Sequence, residues 1–269
     1  MFRCTLQTLC CFTLMLGVAA SSTVAAEPVR REWTIEGTKR QALVVIPESA
    51  RETPSPLVFG FHGHGGSMRN AARTFRIHLH WPEAIVVYMQ GLNTPGRITD
   101  PEGKKPGWQS AKGDQDDRDL KFFDEVLKSL KQELKVDDSR VYSTGHSNGG
   151  GFTYLLWAER SDVFAAMAPS GSAALRTRGQ LKPKPVLHIA GSNDPLVKFS
   201  WQSMMIESLK KSQKCGDGTP WKDVCTEYPS EIGAPVITMI TENGHKFPPA
   251  APETIVAFFR QHSKKPAAE

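Results

Sequence analysis

The sequence predicts an α/β fold, a single doubly wound and mostly parallel sheet flanked by helices. Three observations predict it. Short apolar runs alternate with segments of helical spacing to the end of the chain. Several of these runs are continuously apolar, as strands buried on both faces of a parallel sheet must be. The length of 269 residues, 39% of them hydrophobic and 23% charged, supplies a real core and excludes disorder, a collagen-like repeat or a coiled coil.

In chain order, strands are expected over residues 41–46, closed by Pro47, then over 57–61 and 84–88. Further strands follow at 141–144, 186–190 and 236–240. The first clear helix spans 119–134, where Leu120, Phe123, Val126, Leu127, Leu130 and Leu134 recur at helical spacing. Residues 149–160, 201–211 and 252–262 also read as helices, the last with Glu253 suited to its first turn. The longest stretch without clear structure is 91–117, rich in Gly, Pro, Lys and Asp. A long loop near the carboxyl ends of such strands often serves a site.

The N-terminus reads as an export signal. Met1-Phe2-Arg3 is a short basic start, residues 9–20 are almost wholly apolar, and small residues lead to Ala26. The apolar stretch is shorter than the ~20 residues of a spanning helix. A lipoprotein anchor at Cys10 or Cys11 fits less well, because neither follows the small residues. Residues 1–26 are therefore expected to be removed, leaving a single domain over 27–269, secreted or periplasmic. Removing 26 of 269 residues leaves 243, with 32 basic against 28 acidic residues once Arg3 is gone. Those charges form no basic run, so no nucleic-acid partner is expected, and no other segment could span a membrane. Three of the five cysteines leave with the signal. Cys215 and Cys225 remain and are expected to pair as a disulfide worth roughly 2–3 kcal/mol; the alternative is two buried free thiols.

The chemistry centres on Gly145-His146-Ser147-Asn148-Gly149-Gly150. A lone G-x-S-x-G is weak, but this one follows an expected strand and opens an expected helix, the setting of a nucleophile elbow. Ser147 then needs a base, and the base an orienting acid, in the chain order serine, acid, histidine. Asp194 follows the strand 186–190, and His245 follows the strand 236–240. Asp217, Asp223 and Glu227 are weaker acids. His188 reads as a core or supporting histidine and His262 as solvated. Two backbone donors must receive an oxyanion: the N–H of Asn148, and the N–H of His64 in the loop His62-Gly63-His64-Gly65-Gly66-Ser67. A metal held by His62 and His64 lacks further ligands at a suitable spacing, so neither metal nor organic cofactor is expected.

With Val87-Tyr88-Met89-Gln90-Gly91, Gly107-Trp108, Asp116-Asp117, Val136-Asp137, Arg140-Val141-Tyr142, Asn193-Asp194 and Gly244-His245, these motifs make the chain resemble a known family. It is similar, over about residues 41–262, to extracellular α/β-hydrolase esterases. That group joins polyhydroxybutyrate depolymerase-like proteins with the feruloyl and acetyl xylan esterases of carbohydrate esterase family one. The resemblance implies an α/β-hydrolase fold and a serine esterase with Ser147, Asp194 and His245 as triad. It also implies a supporting or pocket role for His62 and a pocket wall at Trp108, for which ordinary packing is the alternative. After the histidine the family often has x-Trp-Pro. Here Lys246-Phe247-Pro248 keeps a smaller aromatic, so the pocket is expected to involve Phe247 together with residues 91–117. The implied substrate is an ester: a polysaccharide-linked feruloyl or acetyl group, or a hydroxybutyrate-type polyester. A prolyl oligopeptidase-like peptidase shares the triad order but needs a gating domain for which 243 residues leave no room. A non-catalytic carbohydrate- or polymer-binding protein on this fold would have no use for an intact triad.

Overall fold

The computed structural model describes residues 1, 26–96, 98–174 and 176–264. Residues 2–25, which hold the expected export signal with Cys4, Cys10 and Cys11, lie outside the described residues. The chain runs through β1 (Val29–Ile35), β2 (Thr38–Val45), β3 (Ser55–Phe61), α1 (Met68–Phe75), α2 (Ile77–His80) and β4 (Ile85–Met89). Two short strands follow, β5 (Leu92–Asn93) and β6 (Pro106–Gly107), and then α3 (Arg118–Glu133), β7 (Val136–His146), α4 (Asn148–Glu159) and β8 (Ala166–Ser170). The last third holds β9 (Val186–Gly191), α5 (Phe199–Ser212), β10 (Thr219–Pro220), β11 (Cys225–Tyr228), β12 (Val236–Thr241) and α6 (Ala251–Arg260).

Ten strands form one sheet in the order β1-β2-β4-β3-β7-β8-β9-β12-β11-β10. From β4 to β12 the neighbours are parallel. Antiparallel strands close both edges. Strand alternation divides the core. On β3, Leu57, Phe59 and Phe61 belong to the same core cluster as Phe123 of α3, Phe152 of α4 and Met205 of α5. Val58, on the other face, belongs with Phe75 of α1 and Ile255 and Phe259 of α6. Both faces are thus covered by helices, which is why the central strands read as unbroken apolar runs. Among the described residues no helix is long and apolar enough to cross a membrane.

All six expected strands and all four expected helices form, most of them within two or three residues of the expected ends. Several elements escaped the periodicity. β8 reads Ala-Met-Ala-Pro-Ser, with no β-branched residue and a proline, and is placed by its parallel register against β7. Its small side chains are all buried. α1 has only eight residues, two of them arginine, and owes its start to Ser67, whose hydroxyl accepts the Asn70 N–H at 3.2 Å.

Two expectations are corrected here. Cys215 and Cys225 are free thiols. Cys215 packs against the core on the α3–α5 side of the sheet, whereas Cys225 is buried in the core on the α1–α6 side. The sheet lies between them, so ten residues of separation in sequence bring no contact. Burial raises the pKa of both thiols, that of Cys225 to about 11. His262 is not solvated: it is half-buried with its ring edge-on to Phe258 at 4.7 Å. Excess dithiothreitol should accordingly leave the melting temperature of the chain lacking residues 1–26 unchanged. Loss of a disulfide worth 2–3 kcal/mol would instead lower it by about 5–10 °C.

Candidate active site

The site lies where the parallel strands end, the crevice in which open α/β sheets hold their ligands. β7 turns into α4 through Ser147, whose φ of 56° and ψ of −119° are those of no regular element. Two glycines make this turn possible by close approach. A Cβ on Gly149 would lie 2.1 Å from the Phe61 carbonyl oxygen, and one on Gly145 would lie 2.3 Å from the Gly149 oxygen. The Ser147 N–H donates to Ser170 O at 2.8 Å, which ties the turn to the end of β8.

The structure brings Ser147, His245 and Asp194 together in line. His245 Nε2 lies 2.8 Å from Ser147 Oγ, and its Nδ1 lies 2.7 Å from Asp194 Oδ2. Asp194 is buried and its position is fixed by three further donors. Oδ1 accepts the N–H groups of Leu196 and Val197, each at 2.9 Å, and Oδ2 accepts Gln202 Nε2 at 3.2 Å. The loops of the acid and the histidine are joined by the Gly244 N–H, which donates to Asn193 Oδ1 at 2.8 Å.

His146, inside the elbow, braces the histidine. Its Nε2 lies 2.9 Å from the His245 carbonyl oxygen, so that nitrogen carries the proton, and Nδ1 accepts from Ser170 Oγ at 3.1 Å. Burial, reinforced by the neighbouring His245, lowers the His146 pKa to about 4. The ring is neutral at neutral pH, as this pair of bonds requires.

His64 and Asn148 border the same cavity as Ser147 and His245. Asn148 is the first residue of α4, so its N–H has no intrahelical acceptor. Among the described residues the His64 N–H makes no hydrogen bond. Two backbone donors therefore flank the serine at the positive end of a helix.

Three residues offered for the pocket do not line the cavity: His62 takes the supporting role that was its other expectation, Trp108 takes the packing alternative, and Phe247 lies elsewhere. His62 is 2% exposed. Its Nε2 accepts the Gly91 N–H at 3.0 Å, and its Nδ1–H donates to Gly63 O at 2.8 Å, so both ring nitrogens are spent holding the loop after β3. Burial lowers its pKa to about 4. Trp108 is fully buried, stacked on Phe152 and edge-on to Phe61, and its Nε1 donates to His62 O at 2.9 Å. It is a brace inside the core and not a pocket wall. Phe247 packs against Phe75 and His146.

The cavity of about 210 Å³ is walled instead by two loops. Residues 91–117 contribute Pro95, Ile98, Thr99 and Gln109, as that region's expected role anticipated. The segment after β8 contributes Ser172 and Arg176, and Leu196 and Trp201 complete an apolar side. None of these four was legible, because each is ordinary in its local sequence. The Asn148 side chain was also missed. Its Oδ1 accepts the Trp108 N–H at 2.7 Å and its Nδ2 donates to Trp108 O at 3.0 Å, clasping the long loop to the elbow.

A buried ion pair anchors the same loop. Arg40 Nη2 donates to Asp119 Oδ1 at 2.7 Å, and Asp119 Oδ2 accepts the Gln109 N–H at 2.8 Å. Gln109 Oε1 in turn accepts the N–H groups of Asp119 and Leu120 at the start of α3. Among the described residues no group of three or more potential ligands is placed to hold a metal ion.

Known proteins share both sequence and fold with this chain. A family model described as acetyl xylan esterase (AXE1) matches residues 32–170. Probable feruloyl esterase C of Aspergillus clavatus is 31% identical over 160 residues, 59% of this chain and 56% of that protein. Feruloyl esterase C of Emericella nidulans is 26% identical over 198 residues, 73% of this chain and 66% of that one. The chain spans 56–63% of the length of the first curated relatives it matches. Among solved structures, one titled ferulic acid esterase superposes with a TM-score of 0.65 at 14% identity, covering 88% of this chain and 98% of that one. A thermostable esterase does so at 0.62 and 18% identity, covering 88% and 63%. The likeness establishes an α/β-hydrolase fold.

Acid should weaken this protein through its buried histidines. His62, His146 and His188 each stand at about 4 in the folded chain, against an ordinary value near 6.5. Between those values the unfolded chain binds more protons, so stability is full above about pH 6.5 and falls as pH drops toward 4. At pH 5, urea-unfolding free energies should show a slope equivalent to an uptake of roughly three protons by these groups, with His262, also lowered to about 4 by burial, adding about one more. A flat profile between pH 7 and 4.5 would contradict it.

Proposed function

The chain belongs to the acetyl xylan esterase family, and from that membership we propose a serine carboxylic ester hydrolase acting on acetyl or feruloyl groups linked to polysaccharide. The observation that carries the reading is the continuous line from Ser147 Oγ through His245 to Asp194 at the floor of the cleft. The names of the relatives, feruloyl esterases and acetyl xylan esterases, support the substrate class. A hydroxybutyrate-type polyester has the same ester chemistry but no such relative among those described above.

His245 Nε2 takes the Ser147 proton as Oγ attacks the ester carbonyl. The carbonyl oxygen becomes an oxyanion held by the His64 and Asn148 N–H groups, with the α4 dipole behind them. Asp194 keeps the His245 proton on Nδ1 and stabilises the imidazolium. Collapse of the intermediate expels the alcohol, to which His245 returns the proton. Water, activated by the same nitrogen, then releases the acid from Ser147 and restores the enzyme. The strained φ of Ser147 presents Oγ above the strand ends, and the hydrogen bond from His146 to the His245 carbonyl holds the base in register.

Ile98, Leu196 and Trp201 offer an apolar side larger than an acetyl group uses, which suits an aromatic acyl group. We assign the exported, mature form to residues 27–269 on the strength of the basic, apolar and small-residue order of the N-terminus.

Ser147→Ala should reduce kcat on 4-nitrophenyl acetate and on methyl ferulate by at least about a thousandfold, with little change in melting temperature. Equal rates in wild type and variant would sink the assignment. Across a panel, kcat/KM for feruloyl and acetyl esters of xylan fragments should exceed that for hydroxybutyrate oligomers, and the reverse order would move the substrate to the polyester.

A further inference from the structure

One hydrogen bond attaches the outer part of the long loop to the body of the molecule. Residues 95–104 supply Pro95, Ile98 and Thr99 to the cavity wall. Within them the Gly96 N–H donates to Asp100 O at 2.8 Å, and the Asp100 N–H donates to Gly96 O at 3.0 Å. The Gly103 N–H donates to Asp100 O at 3.1 Å, and Asp100 Oδ2 accepts the Lys105 N–H at 2.8 Å. All of these bonds stay inside residues 94–105. Among the described residues a single one leaves residues 95–104 for the rest of the chain, from His64 Nε2 to Asp100 Oδ2 at 3.1 Å.

The two side chains that make this bond are 10% and 9% exposed. The imidazole is nested between two glycines. A Cβ on Gly96 would lie 2.8 Å from its Nε2, and one on Gly107 would lie 2.6 Å from its Nδ1. A side chain at either position would drive the ring from its place. An ionised carboxylate only accepts, so Nε2 carries a proton. Nδ1 is buried and has no partner among the described residues, which is a cost. A ring that served only to fill space would not carry that cost. What a histidine adds here is the Nε2–H, and Asp100 is the group that receives it.

His64 also borders the cavity beside Ser147 and Asn148, with a backbone N–H that makes no hydrogen bond among the described residues. Ring and N–H belong to one residue, so whatever grips the ring also fixes the direction of the N–H. We propose that the His64 ring and Asp100 form a positioning pair that locks the outer loop onto the donor loop. The pair thereby holds the His64 N–H toward the oxyanion and keeps Pro95, Ile98 and Thr99 in the cavity wall. The neighbouring Gly65 N–H donates to Pro106 O at 2.7 Å. The two loops therefore run side by side, and a loosened outer loop slackens the donor. The kinetic consequence rests on the ester-hydrolase reading.

The test compares Asp100→Ala, Asp100→Asn and His64→Phe in the full chain, with Ser147→Ala as the inactive reference. Asp100→Ala should lower kcat on 4-nitrophenyl acetate about tenfold with KM little changed, short of the roughly hundredfold loss that follows outright removal of an oxyanion donor. Affinity for phenylboronic acid, whose tetrahedral adduct on Ser147 offers a charged oxygen to the same donors, should fall by a similar factor. Asparagine keeps an acceptor oxygen for both the His64 Nε2–H and the Lys105 N–H, so Asp100→Asn should stay within about twofold of wild type. His64→Phe keeps a ring between the two glycines but removes the donor. It should match Asp100→Ala, and it carries the test if the alanine variant does not fold. Hydrogen exchange at the Gly65 and Thr94 amides, which donate to Pro106 O and Lys105 O, should quicken in Asp100→Ala and His64→Phe but not in Asp100→Asn. Wild-type kcat in Asp100→Ala and His64→Phe beside an inactive Ser147→Ala overturns the proposal. So does an Asp100→Asn as slow as Asp100→Ala, or a fall in kcat with boronic acid affinity unchanged. Wild type without ester hydrolysis defeats the enzymatic reading instead, and hydrogen exchange then decides positioning alone: unchanged at both amides, it overturns the proposal.

Discussion

The backbones of β3, β7 and α4 meet at a point where no side chain fits. The Phe61 carbonyl sits 2.1 Å from where a Gly149 Cβ would stand, and the Gly149 carbonyl sits 2.3 Å from where a Gly145 Cβ would stand. That contact compresses the turn until its central residue, Ser147, adopts a positive φ at a cost of about 1–3 kcal/mol. The strain persists because the surroundings over-determine it. The Ser147 N–H is taken by β8, and the Asn148 side chain grips the Trp108 backbone on both its donor and its acceptor. Trp108 reaches on to the His62 carbonyl, so the elbow, the donor loop and the long loop form one braced unit.

A second constraint is electrostatic. Arg40 and Asp119 are both essentially excluded from solvent, and a buried ion pair of this kind contributes little net stability. Its effect is on conformation. The Asp119 carboxylate is bonded both to Arg40 and to the Gln109 N–H, and Gln109 borders the cleft. The long loop, poor in regular structure, is thereby tied at one point to β2 and to the start of α3.

What could be read from the sequence divides along physical lines. Strands such as Leu57 to Phe61 announce themselves because burial on two faces demands an unbroken apolar run. The elbow does so because its steric limit admits only glycine at two positions, and Asp194 and His245 because each must follow its own strand. Residues whose role depends on a neighbour distant in sequence gave no such signal. For Trp108 and His62 the sequence left a pocket role beside packing or loop support, and only the fold shows that each faces the other under the loop they hold. Cys215 and Cys225 looked paired because their spacing is short, but spacing says nothing about which face of a strand a side chain takes. β8 was invisible because its fit depends on small side chains between two neighbours, a property of the packing and not of its own composition.

Two walls of the cleft come from stretches of chain that hold none of Ser147, Asp194 or His245, while Leu196, two residues from Asp194, adds to a third side. Pro95, Ile98 and Thr99 belong to the long loop, and Ser172 and Arg176 to the segment after β8. Ser147, Asp194 and His245, by contrast, sit at strand ends within a packed and mutually braced frame. Wall and frame are therefore heritable separately: a lineage could exchange either wall and pass on the same serine, histidine and aspartate undisturbed.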